Sequence, residues 1–531
     1  MMIYSSVITL TVIFFGFSGH FDICSSYKIL AVLPFPSKSH YAIADPLLMR
    51  LSELGHEVTV YTPYPKKEKI PNRKEFDIGH CFVAPAAVNS MDTSASLGSS
   101  SFLKLYVTFS SNILGRTFGQ CEPLLELLKS TEKFDVLLTE TFMNDFMLMY
   151  AWKFNVPVIT YIPNVMLPWL SNRMGNPDNP SYVPNIISGF LGEMNFFQRT
   201  ENTILYILSL ICHKYITSRN DDIMIRKHLE LAPSIEEHIR NISLLFVSMN
   251  SAINAPIPLV PGVVDIGGIH IKSSKPIPEN IEKFINESKH GVVYFCMGSL
   301  LRGETFPPEK REAFLYAFSK IPQRVLWKWE GDVLPGKSDN IMISKWMPQR
   351  DILAHPNVKL FISHGGLLGT SEAVYEGVPV LGIPIFGDQR TNIKSLEANG
   401  AGELLDYNEI SKEVVLEKIQ RLLNDPKYKE NAKLLSDRYR DRPMSPLDTA
   451  VYWTEYVIRH KGAPHLRTAA ADMPWYQYLL LDVIAFIVAV LVAGLLIIYY
   501  TTKFILRAIY GLICGGGAKK GSSKSDKKKR N

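Results

Sequence analysis

The sequence predicts an α/β protein of two doubly wound halves facing across a cleft, with one membrane-crossing helix near its end. Three observations carry that prediction. Buried-strand runs alternate with helical runs in two separate regions. A stretch rich in proline and glycine lies between them, and an apolar run of 18 residues, Val483 to Tyr500, stands close to the C-terminus. At 531 residues the chain has room for two such domains.

Taken in order, the chain opens on an apolar run, Val7 to Phe17, followed by the small residues Cys24-Ser25-Ser26. This reads as a secretory signal peptide over residues 1–26, although no Lys or Arg precedes Val7. Tyr27 to Pro34 (YKILAVLP) is a buried strand, PFPSKSHYA a loop, Asp45 to Leu54 a helix stopped by Gly55, and His56 to Tyr61 the next strand. A helix at Leu124 to Leu128, a strand at Phe134 to Thr139, a helix at Phe142 to Phe154 and a strand at Val156 to Tyr161 continue the alternation. Residues 27–253 form the N-terminal domain. Within it, the apolar core Ile204 to Cys212 is too short to span a bilayer. It is expected as a buried helix, with a helix lying on a membrane surface as the alternative.

Residues 254–278 carry five prolines and three glycines and read as a linker. The alternation then restarts: helix Glu279 to Glu287, strand Gly291 to Cys296, helix Pro308 to Ser319, strands Arg324 to Trp329 and Ile341 to Lys345, and a last helix near Ser411 to Leu423. These make a C-terminal domain over 279–439. The segment 440–477 is expected to cross back onto the N-terminal domain. Residues 478–502 follow as the membrane span, with Trp475, Tyr476 and Tyr478 before it and Tyr499, Tyr500 and Lys503 after it as an interfacial belt.

The net charge of +6 is local. From Lys519 onward the tail holds seven Lys or Arg and one Asp, so the rest of the chain is neutral and nothing in it calls for nucleic acid. A basic tail at 503–531 marks the cytosolic side, which places both domains in the lumen as a single-pass type I protein. The terminal Lys528-Lys529-Arg530-Asn531 resembles a dilysine retrieval signal of the endoplasmic reticulum. Asn241-Ile-Ser243 and Asn286-Glu-Ser288 are glycosylation sequons. Cys81, Cys121, Cys212 and Cys296 show no metal-ligand spacing and cannot form a dense disulfide framework.

The chemistry concentrates in Trp346 to Gln389. A strand ending in His364-Gly365-Gly366 runs into a helix starting near Leu367. Such a junction presents free backbone N–H groups and the positive end of a helix dipole, an anion site. A second strand leads to Asp388-Gln389, polar groups at the end where open α/β sheets bind ligands. Anion site and hydroxyl-binding pair together suggest a phosphorylated sugar.

Trp346-x-x-Gln349, His364-Gly365-Gly366, Glu372 and Asp388-Gln389 resemble the signature of the family 1 UDP-glycosyltransferases, insect members above all. The resemblance implies two Rossmann-like domains of the GT-B type, with Trp346 stacking on uracil, Gln349 and Glu372 on the ribose, and Asp388 and Gln389 on the sugar. It puts the diphosphate at His364, Gly365 and Gly366, with Gly298-Ser299 and Lys328 close by. Leu368 stands where many relatives carry a polar residue facing the phosphate. No Asp-x-Asp pair in a plausible loop is present, so neither metal nor cofactor is expected beside the UDP-sugar co-substrate.

His40, in the loop after the first strand, is implied as the base for the acceptor hydroxyl, with Glu140 or Asp145 as its carboxylate partner. The insect-like wording around Asn144 favours Asp145. The expected reaction is inverting transfer of glucose, with glucuronate the other donor, to a small lipophilic acceptor, in a detoxification setting. A transferase acting on lipid acceptors and a non-catalytic nucleotide-binding membrane protein are the alternatives. A homo-oligomer is left open.

Overall fold

The computed structural model describes residues 26–82, 91, 118–299 and 301–514. The expected signal peptide and the dilysine-like end lie outside the described residues. The chain forms two compact units that meet at Ala471 and Asp472, inside the segment expected to be one crossover region.

The first unit contains two parallel sheets. The N-terminal sheet has seven strands, β1 (Lys28–Val32), β2 (Glu57–Thr62), β3 (Arg73–Asp77), β4 (Val136–Glu140), β5 (Val158–Ile162), β6 (Ile242–Val247) and β7 (Val263–Asp265), in the order β3-β2-β1-β4-β5-β6-β7. The second has six, β8 (Val292–Cys296), β9 (Arg324–Lys328), β10 (Ile341–Ser344), β11 (Val358–Ser363), β12 (Val380–Gly382) and β13 (Gly402–Leu404), in the order β10-β9-β8-β11-β12-β13. Both share one doubly wound plan. Its switch points lie between β1 (Lys28–Val32) and β4 (Val136–Glu140), and between β8 (Val292–Cys296) and β11 (Val358–Ser363). Fully buried runs such as VLLTE and VVYFC fit strands covered on both faces.

Helix α1 (Lys38–Glu53) differs from expectation. It begins seven residues earlier than the sequence reading, so His40 sits in its first turn and not in a loop. Pro46 lies inside the helix, where proline is ordinarily disfavoured. Helix α2 (Pro168–Met174) ends on Gly175, whose φ of 61° is left-handed.

Helix α3 (Phe196–Cys212) corrects the buried-helix expectation. Phe196, Phe197, Ile204, Ile207, Leu208 and Ile211 face outward, while Asn202, Ser209 and Cys212 are buried. Asn202 turns inward because it satisfies buried backbone: its amide donates to the Pro180 and Val183 carbonyls and its oxygen accepts from Asn185 N–H.

The 254–278 stretch is not a plain linker. Its β7 (Val263–Asp265) pairs with β6 (Ile242–Val247) and closes the N-terminal sheet.

The second domain places helix α4 (Leu367–Tyr375) after β11, and helix α5 (Gln389–Ala398) after the short strand β12 (Val380–Gly382). Helix α6 (Pro446–Arg459) returns to the N-terminal half. Its Ala450, Val457 and Ile458 join the core of Leu47, Leu48 and Leu51, and Glu455 meets His56 at 3.2 Å. The crossover thus binds both halves into one body.

In the second unit, helix α7 (Leu481–Cys514) has 34 residues and a mean hydropathy of 3.0 over its most apolar window, long and apolar enough to cross a membrane. It starts three residues after the expected span and runs twelve past it. Leu480, with φ of 54°, breaks the chain before it. Lys503 and Arg507 end the apolar run without ending the helix, because both are good helix formers.

Candidate active site

Strand ends of both domains open into one cavity of about 790 Å³. His40 lines it from the N-terminal side. Gly298, Ser299, Lys328, Trp346, Gln349, His364, Gly366, Glu372, Asp388 and Gln389 line it from the other. Gly365, Glu140 and Asp145 stand behind the wall. Asn241 and Asn286 are exposed and do not line the cavity, and Asn286 Oδ1 meets His355 Nε2 at 3.1 Å.

Glu140 is the last residue of β4, beside β1, and α1 brings His40 over it. His40 Nδ1 lies 2.5 Å from Glu140 Oε1. Glu140 is 2% exposed, so its charge has little water to answer it. Tyr161 Oη donates toward Glu140 Oε2 at 3.3 Å and lies 3.4 Å from the His40 carbonyl. Burial, followed by the Glu140 charge, holds the Tyr161 phenol well above its ordinary range, so it stays a donor. Tyr161 was read only as an apolar strand residue, since nothing in its neighbours' identities signals which polar group its hydroxyl will reach.

The preference for Asp145 as partner of His40 is corrected. Asp145 accepts two hydrogen bonds from Arg173, at 2.8 and 2.6 Å, and lies 3.1 Å from His213 Nε2. Its N–H donates to Asp221. Burial opposes the Asp145 charge, yet Arg173 and His213 hold its carboxyl well below the ordinary range. Burial and the Arg173 charge push His213 down to about 4, so it is neutral beside them. Position five residues beyond the strand end carried Asp145 away from His40 and into a structural ion pair.

On the donor side, three glycines are required by close approach. A Cβ on Gly298 would come 2.5 Å from the His364 ring, one on Gly366 2.6 Å from it, and one on Gly365 2.6 Å from Ile393. Gly365 also has φ of 84°. Gly366 is the N-cap of α4 and no side chain caps it, so the first-turn N–H groups have no partner from a capping side chain. Burial, then the Lys328 charge, lowers His364 to about 4. A neutral imidazole offers one N–H there. Lys328 Nζ is 2.6 Å from Glu330 Oε1.

Trp346 is 66% exposed and lines the cavity. Gln349 Nε2 donates to Glu372 Oε2 at 2.7 Å. Burial pushes the Glu372 carboxyl up to about 7, against the Gln349 hydrogen bond and the Arg350 charge. Asp388 is the N-cap of α5; its Oδ2 accepts from Asn392 at 2.8 Å. Gln389 is partly committed: its Oε1 accepts from the Ile385 and Phe386 N–H groups and pins the loop.

Two variants separate the carboxylates. Asp145→Asn breaks a buried ion pair and is expected to cost about 3–5 kcal/mol of stability by denaturant unfolding. Glu140→Gln is expected to keep most of the stability and to lower kcat by about 100-fold. The reverse pattern would restore Asp145 to the catalytic pair.

Glu372 gives a pH test. Its raised value in the folded chain means that folding favours the protonated form, so its contribution to stability falls as pH rises from its ordinary 4.5 toward 7. In urea unfolding at stepped pH, Glu372→Gln is expected to gain on the natural protein across that window. Parallel curves would count against a buried, proton-holding Glu372.

Comparisons with known proteins agree with this geometry. The family model described as "UDP-glucoronosyl and UDP-glucosyl transferase" matches residues 32–515. UDP-glycosyltransferase UGT5 of Dactylopius coccus is 62% identical over 95% of this chain and 98% of its own. UDP-glucosyltransferase 2 of the same insect is 42% identical over 95% and 96%. Human UDP-glucuronosyltransferase 1A9 is 36% identical over 73% and 72%. Among solved structures, a UDP-glucose: anthocyanidin 3-O-glucosyltransferase in complex with UDP shares the fold with a TM-score of 0.55 at 15% identity, covering 82% of this chain and 99% of that one. Two parallel α/β sheets flanking one cleft are thus the GT-B arrangement, and the chain belongs to the UDP-glycosyltransferase family.

Proposed function

We propose that this enzyme moves a sugar, glucose by preference, from a UDP-sugar to a hydroxyl of a small lipophilic acceptor, with inversion at the anomeric carbon and without a metal or further cofactor. One observation carries the reading: the His40–Glu140 pair of one domain and the uncapped glycine–helix junction of the other open into the same cavity.

Each residue has a task in that reading. Glu140 accepts the Nδ1 proton of His40, which leaves Nε2 as the basic nitrogen. Nε2 takes the proton of the acceptor hydroxyl as its oxygen bonds to the anomeric carbon. The bond from that carbon to the UDP oxygen breaks and UDP leaves with the electron pair. The amides at the start of α4, the His364 N–H and Lys328 meet the charge that develops on UDP. Trp346 stacks on uracil, Gln349 and Glu372 bind the ribose, and Asp388 and Gln389 bind the sugar. Phe35, Tyr64, Phe142, Leu167, Trp169 and Ile186 line the acceptor side and suit an apolar molecule. The name of the 42% identical relative, a UDP-glucosyltransferase, supports glucose.

The same reading places the body in the lumen of the endoplasmic reticulum, anchored by α7. The Cys81–Cys121 disulfide fits an oxidising compartment. The outward apolar face of α3 supports a second contact with the bilayer surface.

With UDP-glucose and a panel of phenols, His40→Ala is expected to lose at least about 100-fold in kcat while still binding UDP. Proton NMR of the product should show a β-linkage from the α-linked donor. A retained α-linkage, or a fully active His40→Ala, would sink the mechanism. For the membrane contact, protein truncated after Ala471 should keep weak binding to phosphatidylcholine vesicles that is lost when Phe196 and Phe197 become serine. A truncated protein that ignores vesicles overturns the α3 contact.

A further inference from the structure

The imidazole of His40 sits in an aromatic clamp, and we propose that Phe35 is a positioning residue for the transfer reaction. Its ring fixes the base in one orientation and stabilises the imidazolium that forms when the acceptor proton arrives. The inference rests on the reading of His40 as the base.

The geometry is close and local in origin. The Phe35 and His40 rings stack with centroids 4.1 Å apart and planes 11° apart. Phe142 stands edge-on to both, 5.1 Å from His40 and 5.7 Å from Phe35. The chain makes this contact itself. Ser37 N–H donates to the Phe35 carbonyl at 2.8 Å across Pro36, a tight turn that proline's fixed φ favours. Ser37 is then the extended N-cap of α1, and His40 is the third helical residue, folded back under Phe35. Phe35 is 8% exposed and has little freedom to leave.

Three restraints therefore act on one small ring. Glu140 holds Nδ1, Phe35 covers one face, and Phe142 meets the ring with its own plane nearly perpendicular. Among the described residues no partner holds Nε2. Phe35 cannot compete for the proton, because it carries no donor or acceptor. It excludes water from the face it covers. Once Nε2 is protonated, the negative face of the Phe35 π-system lies against a cation, an attraction that leucine of similar bulk cannot supply.

The test compares Phe35→Leu, which keeps bulk and loses the ring, with Phe35→Tyr and Phe35→Trp, which keep a ring. Phe35→Leu is expected to lower kcat by about 3- to 30-fold, with the KM for UDP-sugar within about twofold. Carbethoxylation of His40 by diethyl pyrocarbonate, followed by mass spectrometry, should quicken in Phe35→Leu. Phe35→Tyr or Phe35→Trp should recover most of the kcat and the slow modification. Unchanged kcat and modification in Phe35→Leu overturns the proposal. So does a loss confined to the acceptor KM, which would make Phe35 a wall of the acceptor site only, and so does a folded Phe35→Tyr as poor as leucine. If His40→Ala is inactive while Phe35→Leu is normal, the clamp fails and the base stands. A fully active His40→Ala removes the base reading and the clamp with it.

Discussion

The donor half of this protein depends on a steric constraint around one imidazole. His364 has to turn between strand β11 and helix α4 with its ring flanked by Gly298 and Gly366, each too close to bear a Cβ. That packing has an electrostatic result. No side chain at Gly366 caps the helix, so its first-turn N–H groups keep their hydrogen-bonding capacity, and the burial that traps His364 also keeps it neutral. The proposed anion site therefore consists of backbone dipoles, one neutral N–H and Lys328, whose Nζ is paired with Glu330. Placed on rigid elements, these dipoles reorganise little when charge appears on the leaving group.

On the acceptor half the deciding quantity is the fate of buried charge. Glu140 and Asp145 are five residues apart and both nearly inaccessible, 2% and 1% exposed. A buried carboxylate is tolerated only when paired, and the two are paired differently. Asp145 has a guanidinium fork, which neutralises it and ties the turn after β4 to α2. Among the described residues Glu140 has an imidazole and a phenol as partners. On the proposed reading its imidazole partner takes on a proton during the reaction, and the carboxylate's charge is then answered more fully in the transition state than before it. On that reading the difference separates a structural ion pair from a catalytic one.

Much of this was legible in the sequence because it follows from local rules. Buried runs gave the strands, and glycine after a strand gave the anion site. The spacing from Trp346 to Gln389 put nearly all donor residues in one cavity. The misses share a cause: they are settled by contacts made far along the chain. The helix was expected from Asp45, yet α1 begins at Lys38 and tolerates Pro46 inside. Prolines at 254–278 looked like a linker, yet β7 found an open sheet edge. The apolar residues of α3 looked like core, yet Asn202 and Ser209 had the buried backbone and side-chain partners. Asp145 could not be told from Glu140 until Arg173, 28 residues on, was seen to claim it.

Leu368 shows how the two halves are joined at the point where chemistry needs them joined. Read from sequence, it is a lost polar contact to phosphate. In the structure its side chain packs at the margin of the core shared by α1, the N-terminal strands and α6, and its carbonyl lies 3.1 Å from His270 Nε2. Burial lowers His270 to about 4, so a neutral N–H is available to donate there. The first turn of α4 is thus gripped by residues of the opposite half and of the connecting segment. A polar side chain at this position would add one hydrogen bond to the anion while placing an extra polar group at an apolar boundary. Leucine forgoes that bond and instead packs the first turn of α4 against the domain that carries His40.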